Sequence, residues 1–502
     1  MCIMDRSLLP ATFALLTACG ATAQYQNVQL SDATRIRCTR WGADQAYMAV
    51  ERRFAFDSSY VEFLQADAGW TITPLSSRRF AQPLGFLFDA VGTGDGMLCT
   101  GVLSYLSTPY MYKVDNDGSM GWARSLVGMA HAQTRIAKLF ANGTAWYGYT
   151  NADGFFGSGM YRVQGDAAGS AFSIREITVA NLIFRFYEGV TAGSGDSHVL
   201  CGAGMLTGGG AIEALLGHCD GSGATWMKQY SVSSAAGAEE ALAVCRTVAG
   251  GYACVINAPE GTAMTAGHLL RTDAAGNVLG CTKIARPSGI YLTAVTTLDD
   301  GSLLAAGATN AGTGMLFKFS PAGTLLWSRA CTNCIYNTIN AFYRNGNNDL
   351  FALGPNTIFG LGPDGLACNF SDVADVVSSS VSPVVADMAP VNNLSPAVST
   401  APLTLFERTP VNTSSPVCEG TAVAEPGARQ AIVAWPVPTG GVVHLGNPGQ
   451  VGPREEVVMR DASGRVVFRG HYAEGIDLGA LAPGVYTGEL PRTGLFFRSV
   501  RM

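Results

Sequence analysis

A unit of about fifty residues recurs along most of this chain, and it limits the fold more than any single motif. In the unit an apolar strand is followed by a variable loop, a second strand, a turn built on glycine, and often a tryptophan. Asp300-Gly-Ser-Leu-Leu-Ala-Ala-Gly307 leads to Met315-Leu-Phe-Lys-Phe319 and then to Ser320-Pro-Ala-Gly323-Thr-Leu-Leu-Trp327. Asp95 to Gly101, Tyr110 to Val114 and Asp115-Asn-Asp-Gly118-Ser-Met-Gly-Trp122 repeat the pattern. So do His198 to Gly202, Ala214 to Gly217 and Asp220-Gly-Ser-Gly223-Ala-Thr-Trp226. The turn glycines fall at 69, 118, 169, 223, 276, 323 and 365, at intervals of 49, 51, 54, 53, 47 and 42. Seven copies result.

A repeat of this size is one supersecondary unit that cannot bury its own faces and must stack on its neighbours. Strands apolar on both sides belong between other sheets. Closing the copies into a ring covers every face and leaves only short edges. The sequence therefore predicts an all-β chain with a seven-bladed β-propeller over residues 24–417, each blade a four-stranded sheet. Trp122, Trp226 and Trp327 are expected to pack between adjacent sheets, where aromatic rings bury large apolar areas. Residues 25–30 are expected to close the last blade.

The spacing Asp115/Gly118/Trp122 resembles the repeat of quinoprotein-like propellers. Ser320/Gly323/Trp327 lacks the Asp, Asp220/Gly223/Trp226 is one residue short, and Asp273/Gly276 lacks the Trp. No residue can be named that would hold a quinone, so no cofactor is expected.

Residues 370–424 are rich in Ser, Val, Pro and Thr, yet Val376-Val377, Val381, Val384-Val385 and the run from Leu403 to Phe406 are apolar enough to form strands. The first part is read as finishing the last blade, and residues 418–430 as a linker. The tail, 431–502, is expected to be a small Ig-like β-sandwich. It contains Trp435-Pro-Val-Pro438, the hairpin Asp461-Ala-Ser-Gly-Arg-Val466, Ile476-Asp-Leu-Gly-Ala-Leu-Ala-Pro-Gly-Val-Tyr486, and a basic end from Arg498 to Arg501. Those motifs, in that order, resemble the type A C-terminal sorting domain of type IX secretion substrates, whose cargo propellers carry similar degenerate repeats. Val437 stands where that family usually has Asn. The resemblance implies the type IX machinery as a partner of the tail.

At the other end, Arg6, the apolar run 8–18 and Ala21-Thr22-Ala23 read as a signal peptide over residues 1–23. Cleavage after Ala23 is favoured over lipid attachment at Cys19 in Leu16-Thr-Ala-Cys19. The expected location is the medium or the outer cell surface. No apolar run of transmembrane length follows the leader. With 14% charged residues and a net charge of −6, the chain has no basic patch suited to nucleic acid.

Export permits disulfides among the 13 cysteines. Cys331 with Cys334, and Cys368 with Cys418, are the pairings proposed, while Cys99, Cys201 and Cys254 lie in apolar strands and read as small buried residues. The histidines 131, 198, 218, 268, 444 and 471 are dispersed and lack helical zinc spacing. Asp95, Asp117, Asp300 and Asp364 precede glycine and are turn residues. Asp115-Asn-Asp117 has half the oxygen set of a calcium loop and is read as a hairpin turn. Glu188, Glu213 and Glu239-Glu240 have no visible partner. Tyr105, Tyr110, Phe155-Phe156 and Tyr187 are placed in loops as a possible binding surface. No catalytic, cofactor-binding or metal residue is assigned. The reading is a non-enzymatic binding or adhesion module for an extracellular glycan or protein; the alternative is a propeller enzyme degrading extracellular polysaccharide or peptide.

Overall fold

The structure, a computed structural model, describes two units, residues 1–418 and 419–502, each treated by itself. The described residues are 27–30, 33–41, 45–55, 58–67, 72–80, 85–103, 108–127, 135–142, 145–152, 159–193, 195–235, 237–260, 264–335, 339–344, 350–354, 357–362, 370–394, 399–403, 405–408 and 414–416 in the first unit, and 434–435, 441–445, 455–461, 465–472, 475–490 and 495–501 in the second. The signal-peptide reading (1–23) and the linker (418–430) lie outside them. The described residues form strands and turns, without helix.

Seven sheets are formed by the described residues of the first unit. The first comprises Ala33–Trp41, Gln45–Ala55, Ser58–Asp67 and Ile72–Phe80. The second comprises Gly85–Thr93, Gly96–Leu103, Thr108–Asp115 and Met120–Val127. The third has Arg135–Ala141, Ala145–Ala152, Gly159–Asp166 and Phe172–Val179; the fourth has Leu182–Thr191, His198–Leu206, Glu213–Asp220 and Gly223–Ser231. The fifth has Glu240–Arg246, Tyr252–Glu260, Met264–Thr272 and Val278–Ala285; the sixth has Tyr291–Thr297, Leu303–Ala308, Thr313–Phe319 and Leu325–Ile335. The seventh joins Ala341–Arg344, Leu350–Leu353 and Thr357–Leu361 to the N-terminal strand Asn27–Leu30. All the pairings are antiparallel meanders.

Apolar clusters join each sheet to the next. Phe63 meets Tyr112 between the first and second, Met111 and Tyr161 share a cluster between the second and third, and Val255 and Phe317 share one between the fifth and sixth. Leu30, Leu353 and Ile358 of the seventh sheet share a cluster with Ile36 and Met48 of the first, so the stack closes on itself. The first strands of consecutive sheets lie against one another from the first sheet to the seventh and thus surround the axis. This is a β-propeller.

The turn glycines behave as the repeat requires. Gly118, Gly169, Gly223, Gly276 and Gly323 all have positive φ; Gly69 and Gly365 lie outside the described residues. At Gly169 two constraints coincide: φ is +63°, and a Cβ would sit 2.4 Å from the Trp122 ring of the preceding sheet. Trp122 also donates its indole N–H to the Ala167 carbonyl at 3.2 Å. Trp226 covers Gly276 in the same way. One sheet's tryptophan therefore lies on the next sheet's turn, and only glycine leaves room for it.

The stretch after residue 369 departs from expectation. It does not simply finish the last blade. Phe370–Asp372 pairs with the sixth sheet, Val377–Val381 with the fifth, Val384–Met388 with the fourth and Pro390–Leu394 with the third. Ser399–Pro402 then pairs with the second, Leu405–Arg408 with the first and Ser414–Pro416 with the seventh. The chain thus travels backward round the whole ring as a belt, and each sheet has five strands where four were expected. One strand recurs about every seven residues, and seven extended residues span about 24 Å, enough to step from one sheet's outer edge to the next. Much of the belt is exposed, including Val377 and Val384. Backbone pairing and polar clasps hold it. Asn392 pairs within the third sheet, yet its side chain accepts from Ala224 N at 2.8 Å and donates to Ala224 O at 3.0 Å in the fourth. Asp372 meets Arg329 at 2.7 Å and Asp387 meets Lys228 at 2.6 Å.

The described residues of the second unit form two sheets. Ala434–Trp435, Val442–Leu445 and Ile476–Asp477 form one; Val466–His471, Glu456–Arg460, Gly484–Leu490 and Leu495–Arg501 form the other. Val443, Met459, Ile476, Leu478, Tyr486 and Phe497 share its core. The motif residues Ile476, Leu478 and Tyr486 therefore act as packing residues, and the Tyr486 hydroxyl donates to the Ala482 carbonyl at 2.5 Å.

Candidate functional site

The axis is lined by strands that are bulged at matching places. Register against the second strand breaks between Leu87 and Asp89, Ile136 and Lys138, Phe186 and Glu188, Ala241 and Ala243, and Leu292 and Ala294. A bulge bends a strand and re-aims its side chains. Asp89, Lys138 and Glu188, each the first residue after its bulge, consequently meet across three neighbouring sheets. Lys138 Nζ lies 3.6 Å from Asp89 Oδ2 and is paired with Glu188 Oε1. Asp89 Oδ2 also accepts Leu139 N at 2.8 Å. Arg37 Nε donates to the Phe88 carbonyl at 2.8 Å. Burial raises the Asp89 pKa, against the opposing pull of Lys138. For Lys138, burial alone would depress the ammonium, but Asp89 and Glu188 outweigh it and hold the pKa above its usual value. Tyr343 of the seventh sheet adds a smaller contribution in the same direction.

A second group forms beside this one. Glu240 begins the first strand of the fifth sheet and Tyr291 begins that of the sixth. Arg185 Nη2 meets Glu240 Oε1 at 2.7 Å, and the Tyr187 hydroxyl donates to the same oxygen at 3.0 Å. The guanidinium of Arg185 lies 4.6 Å from the Tyr187 ring centroid. Burial, then the charge of Glu240, raises the pKa of both Tyr187 and Tyr291, so both remain phenols. Tyr291 is a large apolar side chain left exposed, at 37%. Together these residues offer aromatic faces, a fixed cation and a fixed carboxylate.

Most acids outside the turns are already engaged. Glu51 accepts Leu87 N at 2.9 Å, joining the first sheet to the second. Glu62 pairs with Arg52 at 2.6 Å in the core. Glu239 accepts Val232 N at 2.7 Å and Ser233 N at 2.9 Å. The expectation that Glu188 and Glu239-Glu240 stand unpaired is thus corrected: their partners are about seven to fifty-five residues away in sequence. Asp117 accepts Ser119 N at 2.8 Å and Asp300 accepts Ser302 N at 2.9 Å, both within turns. Asp95 also pairs with Lys113 at 2.5 Å. Tyr110 is a second correction. It lies inside Thr108–Asp115, fully buried and stacked on Tyr112, because the strand begins before Pro109. Tyr187 is on a strand rather than a loop, while Tyr105, Phe155 and Phe156 lie outside the described residues.

At the outer turn of the fourth sheet, Ser197 Oγ is 2.8 Å from His218 Nε2, and His218 Nδ1 is 2.6 Å from Thr225 Oγ1. Burial lowers the His218 pKa and Asp220 opposes this, leaving a neutral imidazole at neutral pH. Cys99, Cys201 and Cys254 are buried and free; Cys331 is buried, and the side chains of Cys334, Cys368 and Cys418 lie outside those described. Among the described residues, no group of three or more His, Cys, Asp or Glu side chains is placed to hold a metal, and no helix is long and apolar enough to cross a membrane.

No protein-family model matches the sequence, and no curated protein matches it. Among solved structures, the chain is similar to a streptogramin B lyase structure at 12% identity and TM-score 0.44, covering 66% of this chain and 97% of the other. It is also similar to the Cps50 (Swd1) β-propeller domain of Myceliophteria thermophila, at 12% identity and TM-score 0.43, covering 66% and 96%. The extracellular domain of a hybrid two-component system, BT4673, of B. thetaiotaomicron matches at 10% identity and TM-score 0.24, covering 93% and 86%.

Proposed function

We propose that this chain is an exported seven-bladed propeller, carried by its tail through type IX secretion, that acts outside the cell as a non-enzymatic binding module for a glycan or protein. The observation that carries the binding half is the engagement of the axial acids. Polysaccharide hydrolysis by paired carboxylates needs a gap between them for substrate and water. Here Lys138 stands between Asp89 and Glu188, and Arg185 and Tyr187 hold Glu240. The Arg185–Tyr187–Glu240–Tyr291 group suits recognition instead, since a few fixed polar groups beside aromatic faces orient a ligand. The leader over residues 1–23, the Ig-like tail and its ordered motifs support the address. In this reading Ile476, Leu478 and Tyr486 build the sorting domain's core, and the basic terminal strand is what the secretion machinery meets.

Two experiments test this. Deleting residues 435–502 should leave a folded propeller in the periplasm; normal surface appearance of the truncated protein would refute the address. Residues 24–418 should retain a glycan or peptide on an array without cleaving it, and Tyr291→Ala should weaken that retention at least tenfold. Cleavage products would refute the non-enzymatic half. One observation favours the alternative, a hydrolase of extracellular peptide or polysaccharide: the Ser197–His218–Thr225 chain places a hydroxyl, a base and an orienting group in order. Loss of a hydrolytic activity in Ser197→Ala would establish that reading.

A further inference from the structure

The seam between the third and fourth sheets encloses a positive charge that no acid among the described residues pairs with. Arg162, 2% exposed, stands opposite Tyr149 in the third sheet, with its guanidinium 4.9 Å from the Tyr147 ring centroid. Its Nε and Nη2 are buried and have no hydrogen-bond partner among the described residues, and no carboxylate there pairs with it. Asp220 senses its charge but has Oδ1 committed to Ser222 N at 2.7 Å and Ser222 Oγ at 2.6 Å.

His198 of the fourth sheet lies beside it, fully buried. It stacks on Phe140 with centroids 3.9 Å apart and lies 5.2 Å from the same Tyr147 ring. His198 Nδ1 is 2.9 Å from the Tyr149 hydroxyl, and Nε2 is buried with no partner. Arg162 can only donate, and it stands directly opposite Tyr149, so the two side chains share one face of the sheet. The hydroxyl lone pairs therefore turn to the guanidinium and its proton turns to Nδ1, which leaves the imidazole proton on Nε2. Four N–H groups, the Nε–H and the two Nη2 N–H bonds of Arg162 and one from His198, then have no acceptor.

A water molecule does not resolve this. It brings two protons of its own that need acceptors, and this seam supplies donors and aromatic faces. Nor does a water cancel the charge, and a buried unpaired cation is strongly disfavoured. An anion with no proton to place fits both requirements.

We propose that Arg162 and His198 hold a small monovalent anion of the chloride class between the third and fourth sheets, locking that seam of the ring. Phe140, Tyr147 and Tyr149 wall the position. The site is separate from the axial group, so it stands or falls independently of the binding role.

The test uses the full chain, unfolded thermally at constant ionic strength while chloride replaces gluconate, which is too large for the seam. Tm should rise with the logarithm of chloride concentration, by about 3 °C between Kd and one hundred times Kd for a unit of this size. Crystals soaked in bromide should show one anomalous peak at Arg162 and His198. Arg162→Met should abolish the chloride dependence, and His198→Gln should shift it to higher chloride. Equal Tm in chloride and gluconate from millimolar to molar, or a seam containing only water in the bromide crystal, would overturn the proposal. The wild-type titration and the bromide crystal decide the matter even if Arg162→Met does not fold.

Discussion

Replacing Gly169 with alanine puts the repeat's central contact to a quantitative test. The substitution carries two costs. Holding an L-residue at φ +63° costs about 1–2 kcal/mol. The added Cβ also falls 2.4 Å from Trp122 Cδ2 and 2.5 Å from Cε2, so the buried indole must move. Overpacking of that kind costs about 1–3 kcal/mol, and displacing the ring breaks its bond to the Ala167 carbonyl, worth about 1 kcal/mol. The total is about 3–6 kcal/mol. Gly250 provides the control, with φ +85° and nothing within 4 Å of its missing Cβ; Gly250→Ala should cost only the backbone part, about 1–2 kcal/mol. Urea unfolding followed by tryptophan fluorescence measures both as midpoint shifts at constant slope. In a Trp122→Ala background the cost of Gly169→Ala should fall to that of Gly250→Ala, since the ring is gone. Equal penalties for the two glycines in the native background, or an unchanged Gly169 penalty without Trp122, would refute the account of the inter-sheet contact.

Three further outcomes are expected. Lys138→Met leaves Asp89 and Glu188 without their shared cation and should destabilise the ring by about 3–5 kcal/mol in urea unfolding; adding Asp89→Asn and Glu188→Gln should recover most of the loss. Asn392→Ala removes both bonds to Ala224 and should cost about 1–2 kcal/mol, with faster hydrogen exchange confined to residues 384–394 and their partners. His268 has its pKa lowered by burial to about 4, below its unfolded value near 6.5. The unfolded state therefore takes up the proton first as pH falls. Stability contributed by the neutral ring is complete above about pH 6.5 and declines by about 1.4 kcal/mol per pH unit from there to about pH 4. His268→Gln should flatten that part of the urea midpoint against pH.

How much of this could be read from the residues differs from element to element. The second, third and fourth strands of each sheet carry strong local signals: continuous apolar runs, an Asp or Asn before glycine, and Trp122 or Trp226 after it. The first strands were harder to see. Bulges after Leu87, Ile136 and Phe186 interrupt their alternation, and Asp89, Lys138 and Glu188 put charges into an otherwise apolar pattern. The axial group had the same difficulty, since Lys138 lies about fifty residues from each of its partners and no spacing rule links them.

The belt shows most clearly where local reading ends. Strands of three to five residues, with Ser, Pro and exposed valines, do not hold their shape alone, so from local chemistry the first part of this stretch reads as the finish of a single last blade. Their order comes from edges that exist only after the sheets have formed, each supplying unpaired backbone groups to a passing chain. Local chemistry along the chain was enough to require β-structure, a period near fifty, glycine at the turns and closure by stacking. Which strand faces the axis, which charges meet there, and that the chain returns round its own ring are decided by tertiary contact, because each depends on groups far apart in sequence arriving at the same place.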